Sequence, residues 1–306
     1  MPETHFTHFR RTRSVAVNPW RLIPLLAASG THQMAIDRWL LDQHYRGHHP
    51  PTLRFYTWSP IAISLGYHQQ QWPIAWETLT WQGQAVDLVR RPTGGRAVLH
   101  QGDLTYAVVV GSHDLRCDDN RDRCQAYCYL CEFLIRGWQT LGVELAYGTA
   151  GRGYHQHTNC FDLATAADLV LANGHKFIGS AQLRRGQSLL QHGSIRLNPD
   201  PALWTTVFGQ PVRIASPGEN RPDSFATPKA YRPAWQWPPE SLSPGVSVAP
   251  DVPAVPPIQR DIETIVAALC QAASDWFGIA LQPQPLTATE WAAIASHTHA
   301  SVKGNP

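Results

Sequence analysis

"VRRPTGGRAVLHQGDLTYAVVV", residues 89–110, decides between two kinds of fold. A glycine pair among arginines suggests a phosphate loop, where backbone amides and the start of a helix hold the anion. Such a loop needs GxxxxGK[ST] running into a helix, or GxGxxG inside a βαβ unit. Here there is no such lysine, and the chain continues into Val98, Leu99 and the strand-forming run 104–110. The stretch therefore points away from nucleotide-binding α/β folds and toward a sheet. Two readings stay open on these residues alone. One is a hairpin turn with solvated arginines. The other is a loop whose backbone approaches a ligand between Arg90, Arg91 and Arg96.

Working outward, "WRLIPLLA" reads as an early strand behind a flexible tail over residues 1–19. "GTHQMAIDRWLLDQHYRG" reads as a helix with Thr31 as N-cap, Ile36, Trp39 and Leu40 on one face, and Gly47 ending it. "PTLRFYTWSPIAISLGYHQ" gives two β-type runs around Ser59-Pro60, then a short helical stretch leads to the strand "QAVDLVRR". Asn-Gly and Arg-Gly turns divide residues 168–197 into consecutive hairpins. About half the prolines fall in 211–257, which reads as an irregular insertion or linker. Two helices follow within 258–300, the second opened by the capping box Thr287-x-x-Glu290. Helices interleaved with hairpin strands make this an α+β fold with a mixed or antiparallel central sheet and flanking helices.

A formal charge of +2 and no long block of like charge argue against a nucleic-acid partner. Arg21 and Pro24 interrupt the only candidate leader, and no apolar run is long enough for a membrane span. The expectation is a soluble, cytoplasmic protein. Six cysteines in so long a chain do not read as a disulfide framework. Cys124, Cys128 and Cys131 line up with Ile135 and Trp138 as a helical stripe, and Cys270 lies on another, so these four are expected to pack. Cys117 reads as a loop residue. The His pairs of "HYRGHH" and "YHQHTNC" lack a matching ligand set, so no metal is expected. Cys160, in polar "GYHQHTNCFDL", lies off any apolar stripe.

Three stretches carry a family resemblance. "RRPTGGRAVLHQGDLTY" resembles the Arg-Arg, Thr/Ser-Gly-Gly, Ala-Val, His block of the lipoate–biotin ligase and octanoyltransferase superfamily. "HKFIGSAQLRRGQSLLQHGSI" resembles its Lys-x-x-Gly-Ser-Ala-Gln block with the following Gln-His-Gly, and "NCFD" the Cys-Phe pair of cysteine-dependent octanoyltransferases. "MAIDRWLL" and "TLRFYTWSPIAISLGYHQ" also fit in order and spacing. The resemblance covers residues 20–210, read as the catalytic domain, with the 258–300 helices packed on it. It implies the fold of class II aminoacyl-tRNA synthetases and biotin ligases. ATP-using ligases of this superfamily carry a third small glycine where this chain has Arg96, and they tend to carry a sizeable C-terminal domain. Both departures favour acyl transfer without ATP or another cofactor.

The resemblance implies Cys160 as nucleophile and Lys176 as its catalytic partner, with the Asn-Gly turn at 173–174 returning the lysine strand alongside its neighbour. It implies a substrate site of Arg90, Arg91, Thr93, Gly94, Gly95, Arg96, Ala97, His100, Gly179, Ser180, Ala181, His192 and Gly193. Within it, amides near Gly94-Gly95 or Gly179-Ser180 are candidates for an oxyanion hole. The run 97–110 is expected to wall the acyl tail, with the three arginines at the mouth. The implied partners are octanoyl-acyl carrier protein as donor and a lipoyl domain as acceptor, of a glycine-cleavage H protein or a dehydrogenase E2. An ATP-dependent lipoate–protein ligase, a lipoyl-domain amidotransferase and a non-catalytic carrier-protein binder are the competing readings.

Overall fold

The computed structural model describes residues 18–115, 123–148, 168–209 and 260–298. Cys117, Cys160, the tail before residue 18 and the proline-rich 211–257 lie outside them. The chain opens with strand β1 (Asn18–Ala28) and helix α1 (Gly30–Tyr45). Ser29, not the expected Thr31, caps α1, because the helix starts two residues earlier and the Ser29 hydroxyl accepts from the His32 amide. Ile36, Trp39 and Leu40 are buried on one side, as their spacing requires.

Next come β2 (Thr52–Trp58), β3 (Ala62–Leu65), the short β4 (Thr80–Trp81) and β5 (Gln84–Ala85), β6 (Asp87–Arg90), β7 (Val98–His100) and β8 (Asp103–Gly111). Helix α2 (Arg123–Thr140) precedes β9 (Leu145–Tyr147), β10 (Leu169–Leu171), β11 (Lys176–Arg185), β12 (Ser188–Arg196) and α3 (Pro201–Phe208). The chain closes with α4 (Ile262–Phe277), β13 (Ile279–Pro283) and α5 (Ala288–Ala295).

Eight strands form one mixed sheet in the order β13-β1-β2-β8-β12-β11-β10-β9. β1 runs parallel to both neighbours, whereas β2 through β9 alternate antiparallel. One face packs on α2 and α4 through Tyr106, Phe133, Trp138, Leu269 and Phe277. The other packs on α1 and α5 through Ile36, Leu40, Val109, Leu190 and Ile294. This is the expected α+β arrangement, and the hairpins of residues 168–197 appear as β10–β11–β12.

The Gly-Gly stretch is not a hairpin turn. β6 and β7 flank β3 in a separate three-stranded sheet, β6 parallel and β7 antiparallel to it, so the loop 91–97 crosses over β3. The two runs around Ser59-Pro60 likewise part company, β2 entering the large sheet and β3 the small one. Of the striped cysteines, Cys131 is buried and Cys128 half-buried, but Cys124 in the first turn of α2 is exposed. Burial pushes the Cys131 thiol up and the Cys270 thiol up to about 11, so both are packing groups and not nucleophiles.

Candidate active site

The antiparallel register sets the site. Tyr56, Thr105, Ser194 and Gly179 are cross-strand partners in one row over four strands. Two residues along, and therefore on the same face, lie Arg54, Ala107, His192 and Ala181. Between this face and the small sheet is a cavity of about 190 Å³. Met34, Trp58 and Val98 give it apolar wall, Gly94 and Gly95 border it, and Asp168 and Lys176 lie on it. Of the run 97–110 only Val98, His100 and Thr105 reach it. Ala97, expected at the substrate, instead packs with Ile63, Leu65 and Leu99 beneath the small sheet.

Two histidines sit in buried polar networks. His192 lies 2.7 Å from Asp37 through Nδ1 and 2.6 Å from the Thr93 hydroxyl through Nε2. Asp37 also accepts from Tyr56 (2.9 Å) and faces the Arg54 guanidinium at 3.3 Å. A carboxylate only accepts, so His192 donates from Nδ1, while its Nε2 is hydrogen-bonded to the Thr93 hydroxyl. Thr93 thus ties the Gly-Gly loop to the large sheet. His100 pairs with Asp103 (2.8 Å) and Ser64 (2.9 Å), and its ring stacks on Trp58 with centroids 3.8 Å apart. Burial pushes the His100 imidazolium below its ordinary range, and Asp103 only partly opposes this. His100 is therefore a neutral acceptor for Ser64, on a carboxylate that also takes the Thr105 and Ser194 hydroxyls.

The arginines are not a set at the mouth. Arg91 is 6% exposed and its guanidinium donates to the carbonyls of Ser64, Gly94 and Arg96. Arg90 donates to the carbonyls of Gly66, Tyr67 and Gln69. Both hold loops in shape. Gly66 must be glycine for the same reason, since a Cβ there would stand 1.8 Å from the Gly95 carbonyl oxygen. Arg96 is half-buried beside the exposed Gly95.

Lys176 lies on the cavity wall with its side chain 3% exposed, its Nζ 2.9 Å from Asp168 Oδ1. Asp168, just before β10, is a site residue that motif reading missed; its only signal was a carboxylate opposite the lysine across the 173–174 turn. Met34, Asp37, Tyr56, Trp58 and Ser64 were missed as well, because their elements meet the site only through the fold, and Asp103 was missed although it stands three positions after His100. Ser180 and Gly193 pair across the β11–β12 ladder and border the cavity, but the Ser180 hydroxyl is taken by Tyr106 of the opposite core at 2.8 Å. The position of Cys160 lies outside the described residues.

This sheet and its flanking helices are the fold of lipoate–protein ligases. A lipoate–protein ligase A crystallised with ATP superposes with a TM-score of 0.62 at 19% identity, covering 92% of this chain and 94% of that one. A bi-partite lipoate protein ligase from Thermoplasma acidophilum, studied with its E2 lipoyl domain, gives 0.58 at 20% identity over 92% of each chain. The chain belongs to the lipoyl protein ligase A/B catalytic-domain family, whose model matches residues 29–227. Among relatives, the octanoyltransferase LipM of Moorella thermoacetica is 44% identical over 58% of this chain and 65% of its own length. That of Clostridioides difficile is 38% identical over 60% of this chain and 68% of its own length. The chain thus spans about two thirds of these relatives.

Proposed function

We propose that this chain is an octanoyltransferase of protein lipoylation, moving octanoyl from octanoyl-acyl carrier protein to a lysine of a lipoyl domain through a thioester on Cys160. One observation carries the reading: residues from separate motif stretches, Gly94, His100, Lys176, Gly179 and His192, border a single cavity in a chain whose relatives are octanoyltransferases. Lysine and carboxylate come from β11 and the start of β10, and Tyr56 and Trp58 from β2, three strand spacings or roughly 14 Å from β11. An extended eight-carbon acyl chain covers roughly 8 Å at backbone-like bond lengths and angles. A cavity of about 190 Å³ with Met34, Trp58 and Val98 on its wall suits an acyl tail.

In the first half, the Cys160 thiolate attacks the thioester carbonyl, its C–S bond forms, and the phosphopantetheine thiolate leaves and takes up a proton. The Lys176 ammonium favours the thiolate and the developing oxyanion. In the second half, a neutral acceptor ε-amine attacks the acyl-enzyme, the amide C–N bond forms, Cys160 departs as thiolate, and the proton lost from the amine nitrogen passes to solvent. An amide is more stable than a thioester, so neither ATP nor another cofactor is required. The glycine-cleavage H protein and dehydrogenase E2 lipoyl domains are the acceptor class, and Arg96, next in the chain to the cavity-bordering Gly95, is the candidate contact for acidic groups of the carriers.

The test is intact mass after incubation with octanoyl-acyl carrier protein without ATP. An octanoyl adduct is expected on the wild type and not on Cys160→Ala. Lipoylation only with ATP and free lipoate would replace this reading with the ligase.

A further inference from the structure

We infer that Asp168 and Gly179 act together as positioning residues that hold the Lys176 ammonium in place, a step that rests on the role proposed for Lys176 above. Asp168 and Lys176 lie on adjoining strand segments, paired through Leu169↔Ile178 and Val170↔Lys176. Their charged ends meet at 2.9 Å, with side chains 5% and 3% exposed, and both border the cavity. A four-carbon stem carrying a point charge has no fixed direction of its own. The carboxylate supplies the direction. Gly179 supplies the room: a Cβ there would stand 2.7 Å from Lys176 Cε and 3.0 Å from Nζ. That contact is with the far end of a flexible side chain, so an alanine can be accommodated, but only by moving the ammonium. The glycine of the Lys-x-x-Gly block is thus the space its lysine needs.

The experiment compares Asp168→Asn, Gly179→Ala and Lys176→Ala, and combines each of the first two with the third. Octanoyl-adduct formation on Cys160 at saturating donor is expected to slow about 100-fold in either single variant, the scale of an ångström-sized misplacement. KM for the donor should not move. In the Lys176→Ala background neither change should slow the reaction further, since the group being positioned is gone. Wild-type rates in a folded Asp168→Asn or Gly179→Ala protein, or the same loss repeated without Lys176, would overturn the inference. Trace acetylation with acetic anhydride, read by mass on the Lys176 peptide, needs no catalysis. It should run several-fold faster in both single variants, and equal labelling would also overturn the inference. Faster labelling with no adduct on the wild type would sink the octanoyltransferase reading and leave the positioning device standing. If Asp168→Asn fails to fold, Gly179→Ala decides alone.

Discussion

At the scale of single residues, what distinguishes this site is how much of its charge serves shape. Arg91, 6% exposed, donates to three backbone carbonyls. Lysine has the same charge but not the planar fork. Arg91→Lys should therefore lower stability by about 2–3 kcal/mol, the cost of leaving buried acceptors unsatisfied, as read by urea denaturation. Arg54, on a strand, drew no notice in the sequence, yet it is 1% exposed and faces Asp37. The histidines were legible as members of motifs. The carboxylate partner of His192 was not, because Asp37 lies 155 positions away and no local pattern links the two.

At the scale of elements, the local signals were sound where the stabilising contact is itself local. Thr287 and Glu290 form the capping box their spacing announced, and Gly278 ends α4 in the left-handed conformation. Glu290 has a second, distant duty. Both its oxygens accept from Arg21 of β1, at 2.6 and 2.9 Å, tying α5 to the sheet. Burial alone would raise the Glu290 carboxyl, but Arg21 and the Thr287 cap draw it down to about 2. A depressed carboxyl stabilises above its unfolded value and loses that contribution as pH falls through the folded one. Glu290→Gln should cost about 2 kcal/mol at pH 7, the scale of charge-assisted hydrogen bonds. The gap between variant and wild type should close as thermal melts are taken from pH 5 down toward pH 2. A gap that persists in acid would rule out the ion pair as its source. The Gly-Gly loop shows the opposite case: two strands and a turn were readable, but not that β3 would be inserted between the strands.

At the scale of the molecule, residues 260–298 are built into the same fold as the described residues of 18–209. β13 is the parallel neighbour of β1 and covers the edge it would otherwise expose. Ile265, Leu269 and Phe277 enter the same core as Tyr106 and Trp138. At about 1.5–3 kcal/mol per fully buried side chain, these three alone rival the ~5–15 kcal/mol margin of a typical domain. A chain ending at residue 209 should therefore show no cooperative melting transition by calorimetry. A sharp transition from that truncation would mean that the 20–210 region folds by itself. Sequence alone determined the identity and order of most elements, the capping box of α5, and the three motif stretches that mark the family. Each depends on periodicity or spacing within a few residues. Only the tertiary structure decided which strands pair, that Arg90 and Arg91 brace loops, and that Asp168 and Gly179 meet Lys176. Those outcomes follow from register across the sheet, where residues far apart in the chain come into contact.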